Sequence, residues 1–137
     1  MSVEVLRDMD WRLLLVGPDG GVEKPLRRLA KTLGLNSRIQ FLGPVGRERV
    51  KDILAATDIL ALISRHENFG NAAVEAMLAG VPVLVSEHVG ICREVREDRA
   101  GVVVPLTIEA VSRALREMLT DPEKLRTMGQ SAAAALG

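Results

Sequence analysis

Short aliphatic runs alternate with helical stretches along the whole chain. "WRLLLVG" (11–17) reads as a buried strand, an apolar run stopped by glycine and proline. The same reading applies to "IQFLG" (39–43), "ILALIS" (59–64), "VPVLVS" (81–86) and "GVVVP" (101–105). Between them, "EKPLRRLAKTLGL" sets Leu26, Leu29, Ala30 and Leu33 at helical spacing, with Gly34 as its stop. "RERVKDILAAT" (47–57) and a segment from about Asn71 to Ala79, ended by Gly80, predict two more helices, and Arg93 to Arg96 a short helical turn. "TIEAVSRALREMLTD" (107–121) is amphipathic with Thr107 as N-cap, and the last helix starts from Asp121 as N-cap and Pro122 at its first position. Strands that are continuously apolar rather than alternating predict a parallel sheet covered on both faces. The expected fold class is therefore α/β, a doubly wound parallel sheet flanked by helices.

Composition narrows this picture. At 137 residues the chain suggests one domain, and 47% hydrophobic with 26% charged residues suits a packed core. Lys and Arg (18) balance Asp and Glu (18), which argues against a generally basic nucleic-acid surface. Trp11, Phe41 and Phe69 are the only aromatic residues, too few to stack a single strand of bases. The lone cysteine, Cys92, excludes an internal disulfide and fits a reducing compartment. No apolar run approaches the roughly 18 residues that span a bilayer. "MSVEVLRDMD" does not resemble a secretory signal, so a cytoplasmic location is expected.

The chemistry concentrates in "RHENFGNAAVEAM" (65–77). The strand ending at Ser64 delivers the chain to the carboxyl edge of the sheet, where this architecture binds ligands. A helix beginning at Gly70, Asn71 and Ala72 offers unpaired amides and a partial positive charge, which suit a phosphate, and glycine lets it approach. Glu75 follows by roughly 6 Å along the axis at 1.5 Å per residue. It stands in an otherwise apolar helix, where an ionised acid is costly to bury without partners. A carboxylate there can grip a vicinal diol, and Glu67 lies in the loop before the amides. That order (diol, diphosphate, a further group) describes a nucleoside diphosphate sugar. The plain alternatives are a solvent-facing Glu75, or one paired with Arg93, and an ordinary loop Glu67.

Other candidates are weaker. Asp8-Met9-Asp10 precedes a strand rather than following one and reads as a solvated loop. His66, His88 and Cys92 match no common zinc spacing, so no metal site is expected. His66 more simply shapes the loop, and His88 and Cys92 read as a loop residue and a half-buried spacer. "GPDGG" (17–21) lacks the dinucleotide glycine order and reads as a turn. Arg93, Arg96 and Arg99 fall at helical spacing and read as a solvated face, with Arg93 in reach of a phosphate.

The run Glu67-Asn68-Phe69-Gly70-Asn71-Ala72-Ala73-Val74-Glu75-Ala76-Met77 resembles the retaining glycosyltransferases of the GT-B fold in glycosyltransferase family 4, specifically their C-terminal, donor-binding domain. "AGVPVLVSEHVG", "GVVVP" and "IQFLGPV" carry the likeness further, over about residues 11 to 121. "GICREV" resembles the family's Gly-x-x-Glu segment, with one extra residue before Glu94.

The resemblance implies roles. Glu75 would bind the donor ribose, and Glu67 would touch the donor sugar at the reacting face. Phe69, Gly70, Asn71 and Ala72, with His66, would line the donor site, and Phe41 and Leu42 would lie near the base. It implies a UDP- or GDP-sugar as donor substrate, no other cofactor, a glycan or lipid acceptor held by an N-terminal domain, and peripheral association with the inner face of the membrane. The family's Gly-Arg strand with its following Lys-Gly has no match here, so a partial domain lacking its first central strand, and inactive alone, is expected. A nucleotide-sugar epimerase of the same fold and a non-catalytic nucleotide-binding module are the alternatives.

Overall fold

The computed structural model describes residues 9–17, 21, 23–65 and 70–136. They fall into two compact units, one within Asp8–Val50 and one within Lys51–Gly137.

In the first unit, β1 (Leu13–Val16) and β2 (Ile39–Gly43) pair in parallel, with α1 (Glu23–Thr32) between them in sequence. The register runs from Leu13↔Ile39 to Val16↔Gly43, with an irregularity between Leu15 and Val16. The expectation that "WRLLLVG" is buried fails: Leu13, Leu14 and Val16 are 40%, 38% and 48% exposed. Leu26 and Leu29 of the α1 face are exposed as well, and Ala30 and Leu35 are the buried residues there. The cause is layering, because two strands and one helix do not supply apolar cover for every face that the sequence made apolar. Two cation–π contacts add to this unit, Arg27 lying 4.4 Å from the Phe41 ring centroid and Arg38 5.1 Å from that of Trp11.

Helix α2 (Arg47–Ala55) carries the chain into the second unit. There β3 (Leu60–Leu62), β4 (Val83–Ser86) and β5 (Gly101–Val104) form a parallel sheet in the order β3-β4-β5. The intervening helices are α3 (Asn71–Leu78) and α4 (Cys92–Glu97), and α5 (Ile108–Thr120) and α6 (Pro122–Leu136) follow β5. Each of the four residues of β4 is buried, as a strand with neighbours on both edges and helices on its faces should be. Leu84 packs with Val104, Ala114 and Met118 of β5 and α5. The predicted caps form: Thr107 Oγ1 accepts from the Ala110 amide at 3.1 Å, and Asp121 Oδ1 from that of Lys124 at 3.1 Å.

The α/β class with parallel strands flanked by helices is thus as expected. The ladder divides into β1-β2 and β3-β4-β5, and among the described residues no pairing joins β1 to β3.

One close crossing holds α3 against α6. A Cβ on Gly129 would lie 2.3 Å from the carbonyl oxygen of Gly80, the residue that ends α3 with φ +78°. Alanine is the better helix former by roughly 0.8–1.0 kcal/mol, but displacing packed backbone costs about 1–3 kcal/mol. Gly129→Ala is therefore expected to lower stability by about 1–2 kcal/mol, read as a lower urea midpoint. A raised midpoint would show that the crossing is slack.

Candidate functional site

At the carboxyl edge of the second unit the strands separate. The β3–β4 ladder ends at Leu62↔Val85, whereas β4–β5 continues through Ser86↔Val104 and a bond from the Glu87 amide to the Val104 carbonyl at 2.9 Å. Beyond the ladder, the buried Ser86 hydroxyl donates to the Ser64 carbonyl at 2.6 Å and accepts from the Ser64 amide at 3.0 Å. The Ser86 carbonyl instead accepts the Val89 amide at 3.1 Å, which starts the turn toward α4.

Gly70 begins α3 in the left-handed region, φ 97° and ψ 58°. It is also closely packed: a Cβ there would lie 2.9 Å from Val89 Cγ1 and 3.3 Å from both Ile91 Cγ2 and Leu62 Cδ2. Glycine is required twice over, by conformation and by space. No side chain caps the helix at this residue. The first turn of α3 thus opens at the carboxyl edge with its amides and the positive end of the helix dipole.

Helix α3 buries Ala73, Ala76 and Met77 completely. Asn71, Ala72, Glu75 and Leu78 are exposed, forming one face at i, i+1, i+4 and i+7. This corrects the expectation of Glu75 inside an apolar helix and matches the plain alternative of a solvent-facing acid. The helix meets the sheet with small residues on one side, and its other side is open, so the carboxylate keeps its hydration and the cost of burial does not arise. Nor does Glu75 pair with Arg93, whose Nε lies 3.0 Å from Glu97 Oε1 on the exposed surface of α4. The hydrogen bond to Glu97 raises the Arg93 pKa above its ordinary value.

Of the expected site residues, Gly70, Asn71, Ala72 and Glu75 come together on the start of α3. His66, Glu67 and Phe69 lie outside the described residues. Phe41 and Leu42 are half-buried on β2 of the first unit, with the Arg27 guanidinium over the Phe41 ring. Asp8 and residues 18–20 of the glycine turn also lie outside the described residues, and exposed Asp10 faces Arg12 at 3.5 Å. His88 is exposed, and half-buried Cys92 holds its sulfur 3.6 Å from the Glu87 carbonyl oxygen. Arg99 does not continue the helical series, because α4 ends at Glu97 and Arg99 turns to φ 56°. Among the described residues no three His, Cys, Asp or Glu side chains cluster as metal ligands. No described helix is long and apolar enough to cross a membrane.

Sequence reasoning missed Ser64 and Ser86 as site-building residues. The signal was present: "ILALIS" and "VPVLVS" each end an apolar strand on a serine. A separate cleft of about 440 Å³ lies at the opposite, amino edge, between Thr57, Asp58, Gly80, Pro82 and α6. In open parallel sheets ligands bind at the carboxyl edge, so this amino-edge cleft is not the one favoured by the architecture.

Comparison with known proteins agrees with this fold. The family described as "Glycosyl transferases group 1" matches residues 2–135. The chain belongs to the group 1 glycosyl transferases. It is 38% identical over 121 residues to the D-inositol 3-phosphate glycosyltransferase of Streptomyces avermitilis, a match covering 85% of this chain and 26% of that relative. Among solved structures, sucrose-phosphate synthase from Thermosynechococcus elongatus superposes with TM-score 0.87 and 28% identity, over 98% of this chain and 36% of the other. Anabaena Alr3699/HepE in complex with UDP and glucose gives TM-score 0.84 and 27% identity, over 98% and 38%. This group 1 chain thus spans 26% of the length of that curated relative and carries the α/β fold of the solved glycosyltransferases.

Gly70→Ala should cost about 2–4 kcal/mol, combining the left-handed penalty with overpacking against Val89. Its denaturation midpoint should fall accordingly. An unchanged midpoint would mean that the start of α3 is not held as tightly as its packing implies.

Proposed function

We propose that this chain is the donor-binding part of a retaining, family 4 glycosyltransferase that moves a hexose from a UDP- or GDP-sugar to a glycan or lipid acceptor. The observation that carries the reading is the joint placement of Gly70, Asn71, Ala72 and Glu75. The start of α3, with no side-chain cap from Gly70, lies at the carboxyl edge, and the exposed carboxylate stands one turn further on, on the same face as Asn71. Membership of the group 1 family and likeness to a protein crystallised with UDP and glucose support it.

In this reading the helix start accepts the diphosphate, which is anionic and seeks amide donors. Glu75 accepts two hydrogen bonds from the ribose diol. Its exposure suits that task, because an acid already satisfied inside the protein would have to give up a partner to take the ligand. Glu67, seven residues before Glu75, is assigned to the sugar at the reacting face. Phe41 and Leu42 are assigned to the neighbourhood of the base. No metal is assigned a role.

The acceptor site and the cations that neutralise the leaving diphosphate are assigned to the longer protein. No strand in these 137 residues carries Gly-Arg followed by Lys-Gly. Preorganised cations at a departing diphosphate supply much of the stabilisation such a transfer needs. We therefore assign donor binding, rather than turnover, to the chain by itself.

Calorimetric titration with UDP-glucose and GDP-mannose tests the proposal. One of them should bind, and Glu75→Gln should weaken it about tenfold, the equivalent of about 1.4 kcal/mol. The thermal midpoint should stay unchanged, since Glu75 is exposed. Equal affinity in the variant would remove Glu75 from the site, and no binding of either sugar nucleotide would remove the donor reading.

A further inference from the structure

We infer that Ser86 is a positioning residue, a side-chain clamp that sets the separation of β3 from β4 at the mouth of the donor site. The inference rests on the donor reading for its functional consequence, while the clamp itself is visible in the packing.

The register supplies the argument. The Leu60 amide donates to the Pro82 carbonyl at 3.0 Å, an offset of 22 residues. Continued along a regular parallel ladder, that offset would send the Ser64 amide to the Ser86 carbonyl. The Ser86 carbonyl is engaged elsewhere, by the Val89 amide that begins the turn to α4. The Ser86 hydroxyl takes its place. It receives the Ser64 amide and gives its own proton to the Ser64 carbonyl, so one oxygen serves both backbone groups. The strands can therefore part without leaving either group of Ser64 short of a partner at this point.

Position makes the clamp functional rather than merely cohesive. Ser86 is fully buried and has no access to a ligand. It acts through what it holds. Ser64 follows β3 by two residues, and Gly70, which begins α3, sits against Val89 and Ile91 from the turn that Ser86 begins. Ser64 and Gly70, which flank Glu67 in the sequence, are thus both held by one short segment, residues 86–91. An apolar residue at 86 would preserve the strand, but it would remove this hold on the Ser64 backbone and with it the fixed relation between Ser64 and the start of α3.

The test compares wild type, Ser86→Ala and Ser86→Thr at a temperature where each is fully folded. Two quantities are read: amide hydrogen exchange without ligand, and calorimetric affinity for UDP-glucose and GDP-mannose. In Ser86→Ala, exchange at Ser64 should quicken at least about tenfold, a net hydrogen bond being worth roughly 1 kcal/mol and a doubly used one more. Exchange at Met118, remote in α5, should change no more than global stability dictates. Donor affinity should fall about tenfold, and Ser86→Thr, which keeps the hydroxyl, should recover most of both losses. Unaltered Ser64 exchange in Ser86→Ala overturns the clamp. Quickened exchange with affinity within twofold of wild type overturns the positioning role. Wild type that binds neither sugar nucleotide overturns the donor reading itself, and the positioning role with it, whereas the exchange result still decides the clamp.

Discussion

The carboxyl end of β4 governs the second unit. Its buried strand is paired on both edges, and its last residue parts company with one neighbour while staying laddered to the other. From that divergence follow the turn through Val89 and Ile91, the space in which Gly70 packs, and the direction in which α3 starts. A parallel sheet can offer a ligand site only where neighbouring strands separate. Here the separation is held by a hydroxyl group and by the absence of a side chain.

The second unit was largely legible from its sequence because its strands are short apolar runs bounded by glycine, proline and serine, and its helices carry recognisable caps. Thr107, Asp121, Pro122 and Gly80 act as such residues do. The first unit was less legible in burial than in secondary structure. "WRLLLVG" forms a strand, but local apolar character does not say whether another layer will cover it, and here Leu13, Leu14 and Val16 stay exposed. Glu75 was misjudged for a related reason. An apolar composition around a helix was taken for burial on every side, whereas alanine and glycine let α3 lie close to the sheet on one face alone.

The candidate site could be named from its residue types, but its construction could not be read from them. Gly70, Asn71 and Glu75 are candidates on chemistry that can be read one residue at a time, and Asn71 and Glu75 share the exposed face of α3. Ser86 contributes through a partner 22 residues away, and the need for it arises only because its own carbonyl is committed to a turn. Such a role is invisible until the register is known. Exposure also changes the energetic account of Glu75: rather than a buried charge awaiting a ligand, it is a hydrated carboxylate, and the ligand must displace its water. In the proposed donor site, affinity then depends on how well the helix start is preorganised, so the backbone around Ser64 and Gly70 matters as much as the acid.

The central claim is that a sugar nucleotide lies at the carboxyl edge across the start of α3. Backbone amide resonances followed during titration with UDP-glucose test it most directly. The account predicts the largest shifts at Asn71, Ala72 and Ala73, with smaller ones at Ser64 and Glu87. Shifts confined to Thr57, Gly80 and Gln130, around the amino-edge cleft, would contradict it.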